Sequence, residues 1–279
     1  MRLAPLNAEN RGLILDFLVE HSGGLLDPAH VADRLDNLIA SPEHALAVGQ
    51  PLVGAATLID TCDNSTDAAE LTLFATDEAV IPRLLAWGEG LARRGPRGAI
   101  ELPRWPRHSA SSEQLQAAGY GPSYSMFTMV RTEEPIPDSR PLPSPFVWVD
   151  LTESRIEAYY ATLREAFAEL PGAYIPDLPR FRDRARRLPV RLILHQERVA
   201  AFLRVERVGD TGHIHSLGRH PDFRGAGLGE AILDEALSLL SGAPRLELEV
   251  AARNQRALAL YQRRGFQVEG RQDMWSKRL

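Results

Sequence analysis

With 279 residues, 44% of them hydrophobic, the chain is long enough for one large core or two small ones. A net charge of −5, with arginines scattered instead of clustered, argues against nucleic acid or an anionic membrane surface as partner. The single cysteine, Cys62, excludes an internal disulfide framework and a cysteine-built metal site. No apolar run approaches membrane-spanning length and no signal peptide is legible, so a cytoplasmic location without membrane contact is expected.

From Leu3 the pattern predicts a short strand, two helices, three strands, a helix, the strand Ala99–Leu102, a short helix and a closing strand ending near Val130. Residues 132–145 (TEEPIPDSRPLPSP) are rich in proline and acid, lack periodicity and read as a linker. From Phe146 to Lys277 the same order of elements repeats. Leu102 falls opposite Leu248, and Gly119-Tyr120 opposite Gly265-Phe266, at one common offset. The expected organisation is two domains, 1–131 and 146–279, joined by 132–145.

Within the second half, the loop from Glu169 to Asp177 is shaped by prolines and a glycine. Its acids suit either a cationic substrate or plain solvation. In the strand Gly212–His220, alternation places His213, His215 and Leu217 on one face. Gly218 in mid-strand marks a bulge or a close backbone approach. A histidine side chain ordinarily titrates near neutrality and suits a general base; a lone strand histidine is more often structural, and the pair at i and i+2 brings the balance near even. No third ligand stands at zinc spacing, so no metal is expected.

The strand then enters Arg224-Gly225-Ala226-Gly227-Leu228-Gly229 and a helix carrying Ile232, Leu233, Ala236, Leu237 and Leu240 on one face. A glycine-rich turn at a helix start collects unpaired amides and the positive end of the helix dipole, which suits a phosphate. A P-loop is excluded, since no lysine follows Gly229. A dinucleotide fingerprint would put its third glycine at Glu230, although Glu249 lies at a suitable distance for a ribose-binding acid. A turn without ligand is the bland alternative. A third pattern, R/Q-x-x-G-x-G/A, is satisfied by Arg224, Gly227 and Gly229. Downstream, Asn254, Ala257, Tyr261, Gly265 and Phe266 fit N-x-x-A-x-x-x-Y-x-x-x-G-F. By itself that segment is a short amphipathic helix stopped by glycine.

Together these two segments resemble the acyl-CoA loop and the later motif of the GNAT superfamily of N-acetyltransferases. The resemblance implies an α/β fold (α+β, mixed sheet) and acetyl-CoA as co-substrate, its diphosphate on the backbone of Arg224, Gly225, Ala226, Gly227, Leu228 and Gly229. It further implies a bulged strand that parts from its neighbour, so that Leu217, Gly218 and Arg219 bind the pantetheine arm. The family usually carries a small aliphatic residue where Arg219 stands. Asn254 and Tyr261 are implied cofactor contacts, with Tyr261 as the acid that protonates the leaving sulfur. For the base, His213 is preferred over His215, because several members carry a glutamate at its position.

Opposite the glycine loop the first half offers Ala75-Thr76-Asp77-Glu78-Ala79, with no glycine and two acids. Opposite Tyr261 and Asn254 stand Leu115 and His108. The first half is therefore expected to be a degenerate copy that lost acyl-CoA binding and walls the acceptor cleft, Arg104 and Trp105 contributing. Two tandem GNAT folds with a live second half are similar to the mycothiol synthase group. The expected activity is acetyl transfer from acetyl-CoA to the primary amine of a small molecule, by direct attack in a ternary complex, in a monomer or homodimer. The rival expectation is a non-catalytic acyl-CoA-binding sensor or structural protein.

Overall fold

The first half runs β1 (Leu3–Pro5), α1 (Arg11–His21), α2 (Pro28–Leu38), β2 (Ala45–Val48), β3 (Gly54–Ile59), β4 (Ala68–Ala75), α3 (Ile81–Ala92), β5 (Ala99–Arg104), α4 (Ser112–Ala117) and β6 (Gly121–Arg131). The second runs β7 (Phe146–Asp150), α5 (Ile156–Phe167), α6 (Leu178–Ala185), β8 (Val190–His195), β9 (Arg198–Val208), β10 (Thr211–Arg219), α7 (Leu228–Leu239), β11 (Arg245–Ala251), α8 (Gln255–Arg263) and β12 (Gln267–Arg278). These come from a computed structural model that describes residues 3–279 except 23–25, 27, 40, 60–66, 106, 133–140, 172, 174 and 188. Cys62, most of the expected linker, Gly172 and Tyr174 lie outside the described residues. No helix among the described residues is long and apolar enough to cross a membrane.

The order of elements is the same in both halves, as the sequence repeat requires. Gly119 and Gly265 each follow a short helix in the left-handed region, at φ +85° and +82°, where a Cβ is strained.

The linear boundaries need correction. Among the described residues, one compact unit comprises 3–59, 67–124 and 272–279, and the other 125–271. Each unit is closed by the last strand of the other half. In the first, residues 273–278 of β12 pair antiparallel with 99–104 of β5. In the second, 126–131 of β6 pair antiparallel with 246–251 of β11. Both closing strands meet the same local requirements, and only the pairing decides which sheet each completes.

The second unit's strands are ordered β7-β8-β9-β10-β11-β6, and β10 with β11 is the parallel pair. Strand alternation feeds two cores. Leu192, Leu194 and Phe202 pack with α5 and α6, while Ile193, Ala201 and Leu203 pack with α7 and α8. The first unit is built likewise, with α1 and α2 over one core and α3 and α4 over the other.

Candidate acyl-transfer site

The site begins where β10 and β11 part. Parallel pairing covers Thr211–Ile214 against Arg245–Leu248 and goes no further. The backbone edge of Leu217, Gly218 and Arg219 that faces β11 is thus left without a strand partner. The β10–β9 register shifts between Ile214 and Ser216, which makes His215 the extra residue of a bulge. A bulge reverses alternation, and this overturns the expectation that His213, His215 and Leu217 share one face. Ile214 and Leu217 both pack on the α7 core, whereas the His213 and His215 rings stack at 5.9 Å. Gly218 is not the bulge residue. A Cβ there would lie 2.2 Å from Cζ of Phe202, so glycine is required by the ring beneath it.

A cavity of about 630 Å³ opens beside this split. Of the expected cofactor contacts, Leu217, Gly218, Arg219, Arg224, Gly225, Gly227, Leu228, Gly229, Asn254 and Tyr261 line it. Ala226 instead packs against the α7 core. Gly225 and Gly227 are left-handed, at φ +88° and +75°, and α7 has no side-chain cap, so its first amides keep their hydrogen-bonding capacity for a ligand.

Four arginines, Arg219, Arg224, Arg256 and Arg263, and two acids, Glu169 and Glu230, line the cavity. The guanidinium groups of Arg219, Arg224 and Arg256 line it and form no ion pair with a carboxylate among the described residues. By contrast Arg263 pairs with Glu230 at 3.4 Å, and Arg264 with Asp234 at 2.6 Å. Arg219 is the most constrained. Its Nε is buried without a hydrogen-bond partner, and a Cβ on Gly229 would lie 3.3 Å from its Nη1. Burial, reinforced by Arg224 and Arg256, holds its pKa below the usual guanidinium value. Three converging cations beside open helix amides fit a polyanion such as the diphosphate of acetyl-CoA.

Tyr261 stands on α8, whose start is capped by Asn254: the Oδ1 atom accepts the Ala257 amide at 3.3 Å. The buried pair of Arg264 with the fully buried Asp234 ties α8 to α7. The Tyr261 ring is 9% exposed and borders both the large cavity and a second of about 170 Å³. Burial pushes its phenol pKa up to about 12 against the pull of Arg219, so the phenol stays protonated at neutral pH.

The second cavity lies between 214–217 of β10 and 248–251 of β11. It shares Phe167, Ala173, His215 and Ser216 with a third, also about 170 Å³, that reaches Arg184 and Arg204. His215 borders both and its Nε2 lies 2.8 Å from Oε2 of Glu206. Burial lowers the His215 pKa and Arg204 adds to this, while Glu206 opposes it; the ring is neutral at pH 7. His213 borders none of the three cavities, which reverses the preference drawn from sequence.

In the loop before α6, Pro171, Ala173, Ile175 and Pro176 supply lining, and Tyr160 Oη donates to the Pro176 carbonyl at 3.0 Å. Asp177 caps α6 by accepting the Arg180 amide at 3.0 Å. Glu169 lines the large cavity, and its backbone carbonyl accepts from Arg253. Arg104 lies 4.0 Å from Asp273 and Trp105 packs on Phe74, within the first unit. Sequence reasoning missed Arg204, Glu206, Ser216 and Arg256. A charged residue inside the apolar run Ala200-Ala-Phe-Leu-Arg204-Val205 was the one available signal.

Residues 148–266 match the Acetyltransferase (GNAT) family. The chain is 48% identical to the mycothiol acetyltransferase of Beutenbergia cavernae over 58 residues, a fifth of either chain. It is 29% identical over 130 residues to the peptidyl-lysine N-acetyltransferase YjaB of Escherichia coli, covering 45% of this chain and 73% of that one. Among solved structures, a GCN5-related N-acetyltransferase from Sphaerobacter thermophilus superposes with TM-score 0.74 at 16% identity, covering 99% and 95% of the two chains. A tandem GNAT protein from the clavulanic acid biosynthesis pathway gives 0.69, also at 16% identity, covering 99% and 98%. At such identities the superpositions establish the tandem fold.

Proposed function

With a GNAT acetyltransferase domain in its second half, this chain, we propose, moves the acetyl group of acetyl-CoA to the primary amine of a small molecule. Acetyl-CoA supplies the activated thioester. The observation that carries the reading is the set of Arg219, Arg224 and Arg256, without carboxylate partners, around the open amides of α7. The exposed backbone edge of Leu217–Arg219 suits the pantetheine amides and the developing oxyanion.

Two proton transfers follow from the neighbouring groups. An amine must lose a proton before it attacks. With Nε2–H donated to Glu206, His215 leaves Nδ1 free to accept that proton, in the cavity between the split and the acceptor loop. The departing sulfur must gain one, and the neutral Tyr261 phenol on the opposite wall suits that donation. Glu206 stabilises the imidazolium so formed.

Calorimetry with acetyl-CoA, followed by thiol release with a panel of small amines and lysine peptides, tests this. Tight binding with turnover of small amines is expected. Binding without turnover would favour the sensor, faster turnover of the peptides would favour a protein acceptor, and no binding would end the reading.

A further inference from the structure

The third cavity ends on polar groups that the acetyl-transfer chemistry does not use. Arg204 lies across from Ser216 in the β9–β10 register and lines the cavity wall with it. The Nε of Arg204 is buried without a hydrogen-bond partner, and beside it the buried hydroxyls of Ser216 and Tyr159 face one another. Tyr159 is 1% exposed and packs between the rings of Phe181 and Phe202. Arg204 forms no ion pair with a carboxylate among the described residues, and Arg184 lines the same wall. Burial and Arg184 lower the Arg204 pKa, with Tyr159 and Glu206 opposing.

Buried donors without partners are costly. Lining a cavity, such groups fit a ligand anion. A guanidinium donor there suits an anion better than an ammonium. The remaining walls, Leu163, Phe167, Ile175 and Phe181, are apolar. A cavity of about 150 Å³ holds a benzene-sized group, which is the scale of this one.

We infer that the acceptor carries a carboxylate, held by the guanidinium of Arg204 beside the Ser216 hydroxyl, with its amine turned back past His215 toward the second cavity. The acceptor class is thus an amino acid or an amine with an acidic group at similar reach. Arg204 is a specificity-determining residue, and the assignment rests on the transferase reading.

The test compares glycine, β-alanine, leucine and phenylalanine with their carboxamides and aminophosphonates, by binding to the full chain and by acetyl-CoA-dependent thiol release. Expected is binding of at least one acid about tenfold or more tighter than its amide, consistent with one charge-assisted contact. Arg204→Met should raise KM for that acid about tenfold or more and leave acetyl-CoA affinity intact. Arg204→Lys should keep part of the preference. Equal binding of acids and amides, no binding of any acid, or preference for the aminophosphonates overturns the assignment. Failure to bind acetyl-CoA would instead sink the transferase reading, while the acid-against-amide comparison would still report on Arg204.

Discussion

The two halves solve one local problem in opposite ways. Each runs a strand into a helix beside a short parallel pairing, β4 with β5 over Ala68–Glu70 and β10 with β11 over Thr211–Ile214. In the first half the turn supplies its own anion: the Asp77 carboxylate accepts the Ala79 amide at 3.0 Å, and Pro82 removes another donor at the start of α3. Beyond the end of that pairing, Arg34 of α2 binds Thr72 at 2.8 Å and pairs with Glu70. In the second half Gly227 leaves the α7 amides uncapped, and three arginines beside them lack carboxylate partners among the described residues. One turn is satisfied from within, while the other stays open to a ligand. The same backbone becomes a scaffold or a site according to who provides the negative charge.

Gly227→Asp, which copies the first half's solution into the second, is expected to weaken acetyl-CoA binding about a thousandfold by calorimetry, a carboxylate now standing where phosphate would sit. The reciprocal Asp77→Gly should create no acetyl-CoA binding and cost only a few tenths of a kcal/mol in denaturant unfolding. Tyr261→Phe, an apolar residue there as Leu115 is in the first half, should lower kcat about a hundredfold with acetyl-CoA affinity unchanged. Arg219→Leu restores the small aliphatic character usual in the family. It should weaken acetyl-CoA about tenfold and reduce the salt dependence of binding, and the phenol of Tyr261 should titrate higher in its absence.

The smallest effect is on pH. Protonation of His215 is disfavoured in the folded protein, so the acidic limb of kcat/KM should lie below the ordinary histidine value. Glu206 opposes that depression, and Glu206→Gln should therefore move the limb further down. A limb that stays in place would remove His215 as the base.

Several features were legible in sequence because they depend on residues close together. Gly265 stops a helix in the left-handed region, and the glycines of 225–229 open the start of α7. Others were not. Strict alternation put Leu217 with the histidines, but a one-residue bulge shifted it to the α7 core and brought His215, not His213, to the cavities. Asp177 suggested substrate binding and turned out to cap α6. Arg204 became notable only once its strand was buried between Ser216 and the α6 wall.

The residue order by itself determined the doubled sequence of elements, the uncapped glycine turn and the placing of Tyr261 on a short helix, since backbone preference and capping act within a few positions. Tertiary structure alone decided which closing strand completes which sheet, which histidine reaches the cavities and which arginines lack a carboxylate. Those outcomes depend on contacts between residues tens to well over a hundred positions apart, where local propensity carries no information.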